Sequence, residues 1–259
     1  MRSRLALWGV ALGYLGLLLA APVGLVFYRT FEHGAGRAWE AVTTPEAIHA
    51  FWITILITLI VVPANTIFGI ACAIVIVRHR APGKGILNAI VDLPLALSPI
   101  VVGLAFLLLF GTGGWLHDVP FDVVFALPGM VLATIFVSLP FVVREVVPVL
   151  REIGIEQEQA ASTLGASSWQ TFRRVTLPAI RWAVAYGIVL TTARALGEFG
   201  AVSVVSGRIV GKTETMTLHV EERFQSFDYV GAYAASVVLA ILAIGTLVAM
   251  SLFKPKEGA

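Results

Sequence analysis

Glu156-Gln-Glu-Gln-Ala-Ala-Ser-Thr-Leu-Gly165-Ala-Ser-Ser-Trp-Gln-Thr-Phe-Arg-Arg-Val-Thr-Leu-Pro178 is the one long polar interval between apolar runs that also has helical character. Glu156 to Leu164 is a run of good helix formers. Gly165 falls where a helix end takes a left-handed residue. Ser167 or Ser168 is then placed to cap a second short helix through Trp169, Phe172 and Arg173. Pro178 is expected to close that helix, because the residue before a proline is pushed out of helical geometry.

On both sides of this interval the chain is apolar. It is 58% hydrophobic and 13% charged over 259 residues, against about 25% charged in soluble domains. This composition specifies an all-α integral membrane protein. Six spans are expected, at 5–27, 48–77, 86–110, 121–143, 182–205 and 230–253, in one domain of 1–259. The run after Met1-Arg-Ser-Arg is longer than the 7–15 apolar residues of a signal peptide, so it is read as the first span. Net charge is +2, too small to point to nucleic acid. The placement of the cations carries more information. With both termini on one side, twelve of the eighteen Lys and Arg fall on that side, five on the other and Arg194 within a span. The positive-inside rule then puts 156–178 and both termini in the cytoplasm.

Ionisable residues at membrane depth are costly unless paired or hydrated. Arg194 and Glu198 in the fifth expected span are four apart and share a face with Gly187, Thr191 and Ala201. Two readings stay open: an ion pair locking helices, or an anion path to which Arg194 contributes while Glu198 holds its geometry. Asp92 in the third span reads as the partner of a basic residue or backbone group near the cytoplasmic end. Arg144-Glu145 reads as an interfacial anchor, and Asn65 as the group that satisfies backbone freed by Pro63. Cys72 is alone, which excludes an internal disulfide, and its apolar surroundings make it a small buried hydrophobe. The five histidines show no His-x-x-x-His or Glu-x-x-His spacing of a metal enzyme. Gly207-Arg-Ile-Val-Gly211-Lys212-Thr213 has three residues where a phosphate-binding P-loop needs four.

Gln159-Ala160-Ala161, three residues, Gly165, nine residues, and Val175-Thr176-Leu177-Pro178 resembles the EAA motif of ABC importer permeases. Gln159 stands where the family has Glu, and Val175 where it has Ile. Asp92 to Gly103, Pro128 to Val137, Pro140 to Glu145, Arg173 to Trp182 and Arg194-Ala-Leu-Gly-Glu198-Phe-Gly-Ala201 are similar to the permeases of the sulfate and thiosulfate importers, their W subunits above all. The likeness runs from about residue 48 onward. It implies a type I importer fold of six membrane helices, with a cytoplasmic coupling helix between helices four and five. It implies ATPase coupling through Glu158, Gln159, Ala160, Ala161, Leu164, Gly165, Leu177 and Pro178, and a pathway or gate at Ser98, Pro99, Arg194 and Glu198. It also implies partners: a second, related permease subunit, two cytoplasmic ATPase subunits that hold the ATP and Mg, and an extracytoplasmic sulfate-binding protein near the loop of His219–Phe224. No cofactor is expected in this chain. A molybdate or tungstate permease is the neighbouring alternative. A proton-coupled transporter using Asp92 or Glu198 would need no EAA element. A membrane enzyme would need a ligand or nucleophile cluster that the sequence lacks.

Overall fold

The computed structural model describes residues 2–79 and 83–253. Arg80, Lys254 and Lys256, counted above among the cytoplasmic cations, lie outside them, as do the side chains of Arg2 and Arg4. The described chain is helical, without strands. Helix α1 covers 2–31, with a π turn at Gly16–Ala20. The others are α2 (Ala35–Val42), α3 (Pro45–Arg78), α4 (Lys84–Ala96), α5 (Pro99–Phe110) and α6 (Leu127–Ile153). They continue as α7 (Glu156–Thr163), α8 (Ser168–Leu196), α9 (Gly200–Val205), α10 (Met216–Gln225) and α11 (Tyr229–Phe253). Among the described residues, five of these are long and apolar enough to cross a bilayer: α1, α3, α6, α8 and α11.

The span expected at 86–110 is not one helix. It is α4 and α5, bent by 111° at a break over Leu97 and Ser98. Both residues are extended, with ψ of 141° and 136°. Pro99 enforces this by excluding helical geometry from the residue before it, and it then opens α5 where a missing N–H costs nothing. Counted as one broken span, the pair brings the apolar segments to the six expected.

Helix α6 also departs from its expected span of 121–143. It starts at Leu127, with Pro128 in its first turn, and continues through Arg144 to Ile153. Gly154, at φ +71°, ends it. The residues from Arg144 to Ile153, expected as the start of a polar interval, are therefore helix. Pro140 and Pro148 lie inside α6. Near the first, Asn65 of α3 donates to the Ile135 carbonyl at 3.1 Å and to Ser138 Oγ at 2.8 Å. Asn65 thus supports the backbone of α6, not that of its own helix at Pro63.

Pro178 does not close a short helix. Helix α8 runs from Ser168 through a π turn at Phe172–Thr176 to Leu196. There the Leu177 N–H donates to the Phe172 carbonyl, five residues back. The widened turn lets the helix pass the proline, which has no N–H to offer. At the other end α8 stops at Gly197, short of the expected 205, so Glu198 and Ala201 are not on it.

Helices α3, α6 and α8 meet around Val142. Gly69 of α3 and Gly187 of α8 face it from two sides, and a Cβ on Gly187 would lie 2.8 Å from the Val142 Cα. Cys72, Ala73, Val143, Val146 and Ile180 extend this core. Cys72 is the buried hydrophobe the sequence suggests. A Gly187→Leu substitution should destabilise the chain by about 1–3 kcal/mol through overpacking. The check is thermal unfolding in detergent; an unchanged midpoint would contradict the close approach at Val142.

Candidate functional site

The exposed element is the turn from α7 into α8. Gly165 has φ +84°. Its N–H donates to the Ser162 carbonyl at 3.0 Å, and the Ala166 N–H donates to the Ala161 carbonyl at 3.1 Å. These two bonds make a Schellman end, which requires the left-handed residue. Ser167 then caps α8 in a reciprocal pair: the Gln170 N–H donates to Ser167 Oγ, and the Ser167 N–H donates to Gln170 Oε1. Of the two serines proposed as caps, Ser167 takes the role.

Glu158 points back into the protein. Its carboxylate pairs with Arg78, at the end of α3, at 3.0 Å, and accepts from Thr176 Oγ1 at 2.9 Å. Arg78 also donates to the Gly154 carbonyl at 2.6 Å. Glu158 therefore staples α7 to α3 and α8, and a cleft of about 390 Å³ opens beside the staple. Gln159, Ala160, Leu164 and Gly165 face outward, while Ala161 is half-buried. Leu164 is 89% exposed and Trp169 66% exposed, unusual for large apolar side chains on a polar segment. Leu177 is half-buried and Pro178 exposed, both on α8. Sequence reading missed the Arg78 staple and the exposed Trp169. Only the polar character of Arg78 beside an apolar run hinted at the first.

A second constellation lies where α8 ends. Glu198, 3% exposed, sits in the break between α8 and α9. One carboxylate oxygen pairs with Arg194 in the last turn of α8 at 2.6 Å. The other accepts from the Ala201 N–H, in the first turn of α9, at 2.8 Å. The Glu198 carbonyl accepts from Thr217 Oγ1 of α10 at 2.8 Å. The ion pair is thus real, though its members do not share one helix. Across from it, a Cβ on Gly200 would stand 2.8 Å from the Pro99 Cβ, and one on Gly103 would stand 2.7 Å from the Ala201 carbonyl oxygen. Pro99 is half-buried against this contact, whereas Ser98 is exposed. The two chain breaks, at Ser98 and at Glu198, are therefore brought together.

Three other sequence candidates resolve as follows. Arg144 of α6 pairs through two nitrogens with the Asp92 carboxylate of α4, its Nε donating at 2.7 Å, and Asn88 joins them. Asp92 is the partner of a basic residue, and Arg144, expected as an anchor at the end of a span, lies inside α6 and ties it to α4. The near-P-loop at Gly207–Thr213 is a turn between α9 and α10. Thr213 Oγ1 there donates to the Ser206 carbonyl at 2.6 Å, so the hydroxyl is committed within the loop. Gly187 and Thr191 are buried on α8.

The whole arrangement matches a solved structure, the crystal structure of a bacterial alginate ABC transporter in complex with alginate pentasaccharide-bound periplasmic protein. The TM-score is 0.79 at 17% identity, over 98% of this chain and 95% of that one. The fold is that of the type I ABC importer permeases. Residues 65–256 match the family described as binding-protein-dependent transport system inner membrane component, and the chain belongs to that family. It is 48% identical over 258 residues to "Sulfate transport system permease protein CysW" of Synechococcus elongatus, covering 98% of this chain and 90% of that protein. It is 40% identical over 237 residues to "Sulfate transport system permease protein CysT" of Escherichia coli, covering 90% and 86%.

Proposed function

We propose that this chain is the W-type permease subunit of an ATP-driven importer that carries sulfate, or its analogue thiosulfate, across the inner membrane. The observation that carries the mechanism is the continuity of α8. It runs from the exposed turn at Gly165 to the Arg194–Glu198 break, 29 residues, or about 40 Å at 1.5 Å per residue. Movement of the turn is thereby delivered as movement of the break. The relatives' names supply the substrate.

The excess of cations on the α7 side supports a cytoplasmic placement for that turn. Two ATPase subunits, binding ATP and Mg, dock at the turn through Gln159, Ala160, Ala161, Leu164 and Gly165, with Leu177 and Pro178 behind them. Glu158 positions the turn from inside. A second permease of the related T type completes the pathway, and an extracytoplasmic binding protein delivers the anion. Closure of the ATPases draws the two turns together and opens the pathway outward; hydrolysis resets it. The gate is the contact between the breaks, with Ser98, Pro99, Arg194 and Glu198 at its core. This chain performs no covalent chemistry.

In proteoliposomes holding both permeases, the ATPase and the binding protein, sulfate should stimulate ATP hydrolysis only when the binding protein is present. Stimulation by molybdate and not sulfate would reassign the substrate. Uptake driven by a proton gradient without ATPase would overturn the importer reading. Gly165→Val forces a β-branched residue into left-handed backbone at a cost of about 1–2 kcal/mol. It should assemble yet lose most stimulated hydrolysis; normal transport would refute the role of the turn. Arg194→Ala should abolish sulfate uptake while the complex still assembles. Failure to assemble would assign Arg194 to structure alone.

A further inference from the structure

The loop between α9 and α10 buries a histidine and a carboxylate that transport, as read above, does not use. Glu214 is 2% exposed and His219, in the first turn of α10, 1% exposed. Glu214 Oε1 and His219 Nδ1 are 3.2 Å apart. Glu214 Oε2 is buried and, among the described residues, has no hydrogen-bond partner. A buried carboxylate oxygen left in that state is costly. Glu222, three residues beyond His219, is on the same face of α10. Ligand atoms of Glu214, His219 and Glu222 all lie within 4.8 Å of one another. A cavity of about 140 Å³ has Glu214 and Glu222 on its wall.

We infer that Glu214, His219 and Glu222 form a divalent-cation site suited to Zn²⁺. Imidazole nitrogen and carboxylate oxygen are both zinc ligands, and three of them leave the fourth tetrahedral position to water from the cavity. Ligands about 2.0–2.1 Å from a tetrahedral ion stand about 3.3 Å from each other, close to the Glu214–His219 spacing. Glu222 is the exposed ligand. It now accepts from Ser226 Oγ at 3.0 Å and lies 3.5 Å from Arg223 Nε, surface contacts it can exchange for the ion. Arg208 also lines the cavity, but it is paired with Glu221 at 2.9 Å. The ion would pin the loop to α10, the helix whose Thr217 holds the Glu198 carbonyl. The motif runs Glu-x₄-His-x₂-Glu, so a search for Glu-x-x-His passes over it. This site is independent of the transported anion.

The test uses the full chain, purified in detergent without a histidine tag, stripped with chelator and titrated with Zn²⁺ by calorimetry and metal analysis. One Zn²⁺ per chain at micromolar or tighter affinity is expected, with at least tenfold weaker binding in Glu214→Gln and His219→Gln. Those two residues are buried, and their variants can fail to fold. Glu222→Gln changes an exposed side chain and decides the matter in that event: it should weaken binding at least fivefold and reduce the rise in melting temperature that Zn²⁺ gives the wild type. Absence of wild-type binding, or Zn²⁺ affinity unchanged in Glu222→Gln, would overturn the site.

Discussion

Backbone that leaves helical geometry between apolar helices must find its hydrogen-bond partners within the protein. Among the described residues, two such breaks lie against each other, at Leu97–Ser98 and at Gly197–Phe199. The second break is held by one side chain. Glu198 reaches back to Arg194 and forward to the Ala201 N–H, so the last turn of α8 and the first turn of α9 share a single buried carboxylate. Thr217 takes up the exposed carbonyl. Glycines at 103 and 200 then let α5 and α9 approach to backbone contact. Without Glu198, the N–H of Ala201 and the guanidinium of Arg194 would both lose this partner.

The other end of α8 obeys a different constraint, because water is available there. Polar groups do not need burial to be satisfied, and what must be fixed is direction. Gly165 reverses the chain, Ser167 restarts it, and the Glu158–Arg78 pair ties the small helix α7 to α3. An isolated helix of eight residues is unstable in water. The staple and the Schellman end are what make α7 a defined surface, and they leave Leu164 and most of Trp169 facing outward. In the proposed reading these are the side chains an ATPase groove would bury.

Local signals were legible in the sequence wherever the controlling interaction is local. Gly165 and Ser167 act within five residues; the turn at Gly165 could be read locally, and the cap was narrowed to Ser167 or Ser168. The Ser98–Pro99 break was also locally encoded, yet a hydropathy run crosses it without interruption, so 86–110 looked like one span. The tail of α6 was missed for the opposite reason: the charges of Arg144 and Glu145 made the middle of a helix look like the end of a span. What the sequence left unassigned is which distant residues pair: Asp92 read as the partner of a basic residue, but not of Arg144 in particular. Arg78 meets Glu158, Asp92 meets Arg144, and Asn65 meets Ile135, each more than fifty residues away. Each is a long-range solution to a polar group that the nearby sequence leaves unsatisfied.

The Arg194–Glu198 pair also bears on how a doubly charged anion would cross. A free guanidinium in a low-dielectric site would attract such an ion strongly and hold it. Conduction requires binding firm enough for entry and weak enough for exit. Here the carboxylate, 2.6 Å from the guanidinium, already neutralises most of that field. In the proposed reading, an anion arriving at the break would meet a dipole, with Arg194 still partly exposed. Such a pair would be a poor trap and a serviceable passage. In this reading tight recognition belongs to a separate binding protein, and the permease contributes a compensated site that opens only when α8 moves its two ends of the pair relative to α9.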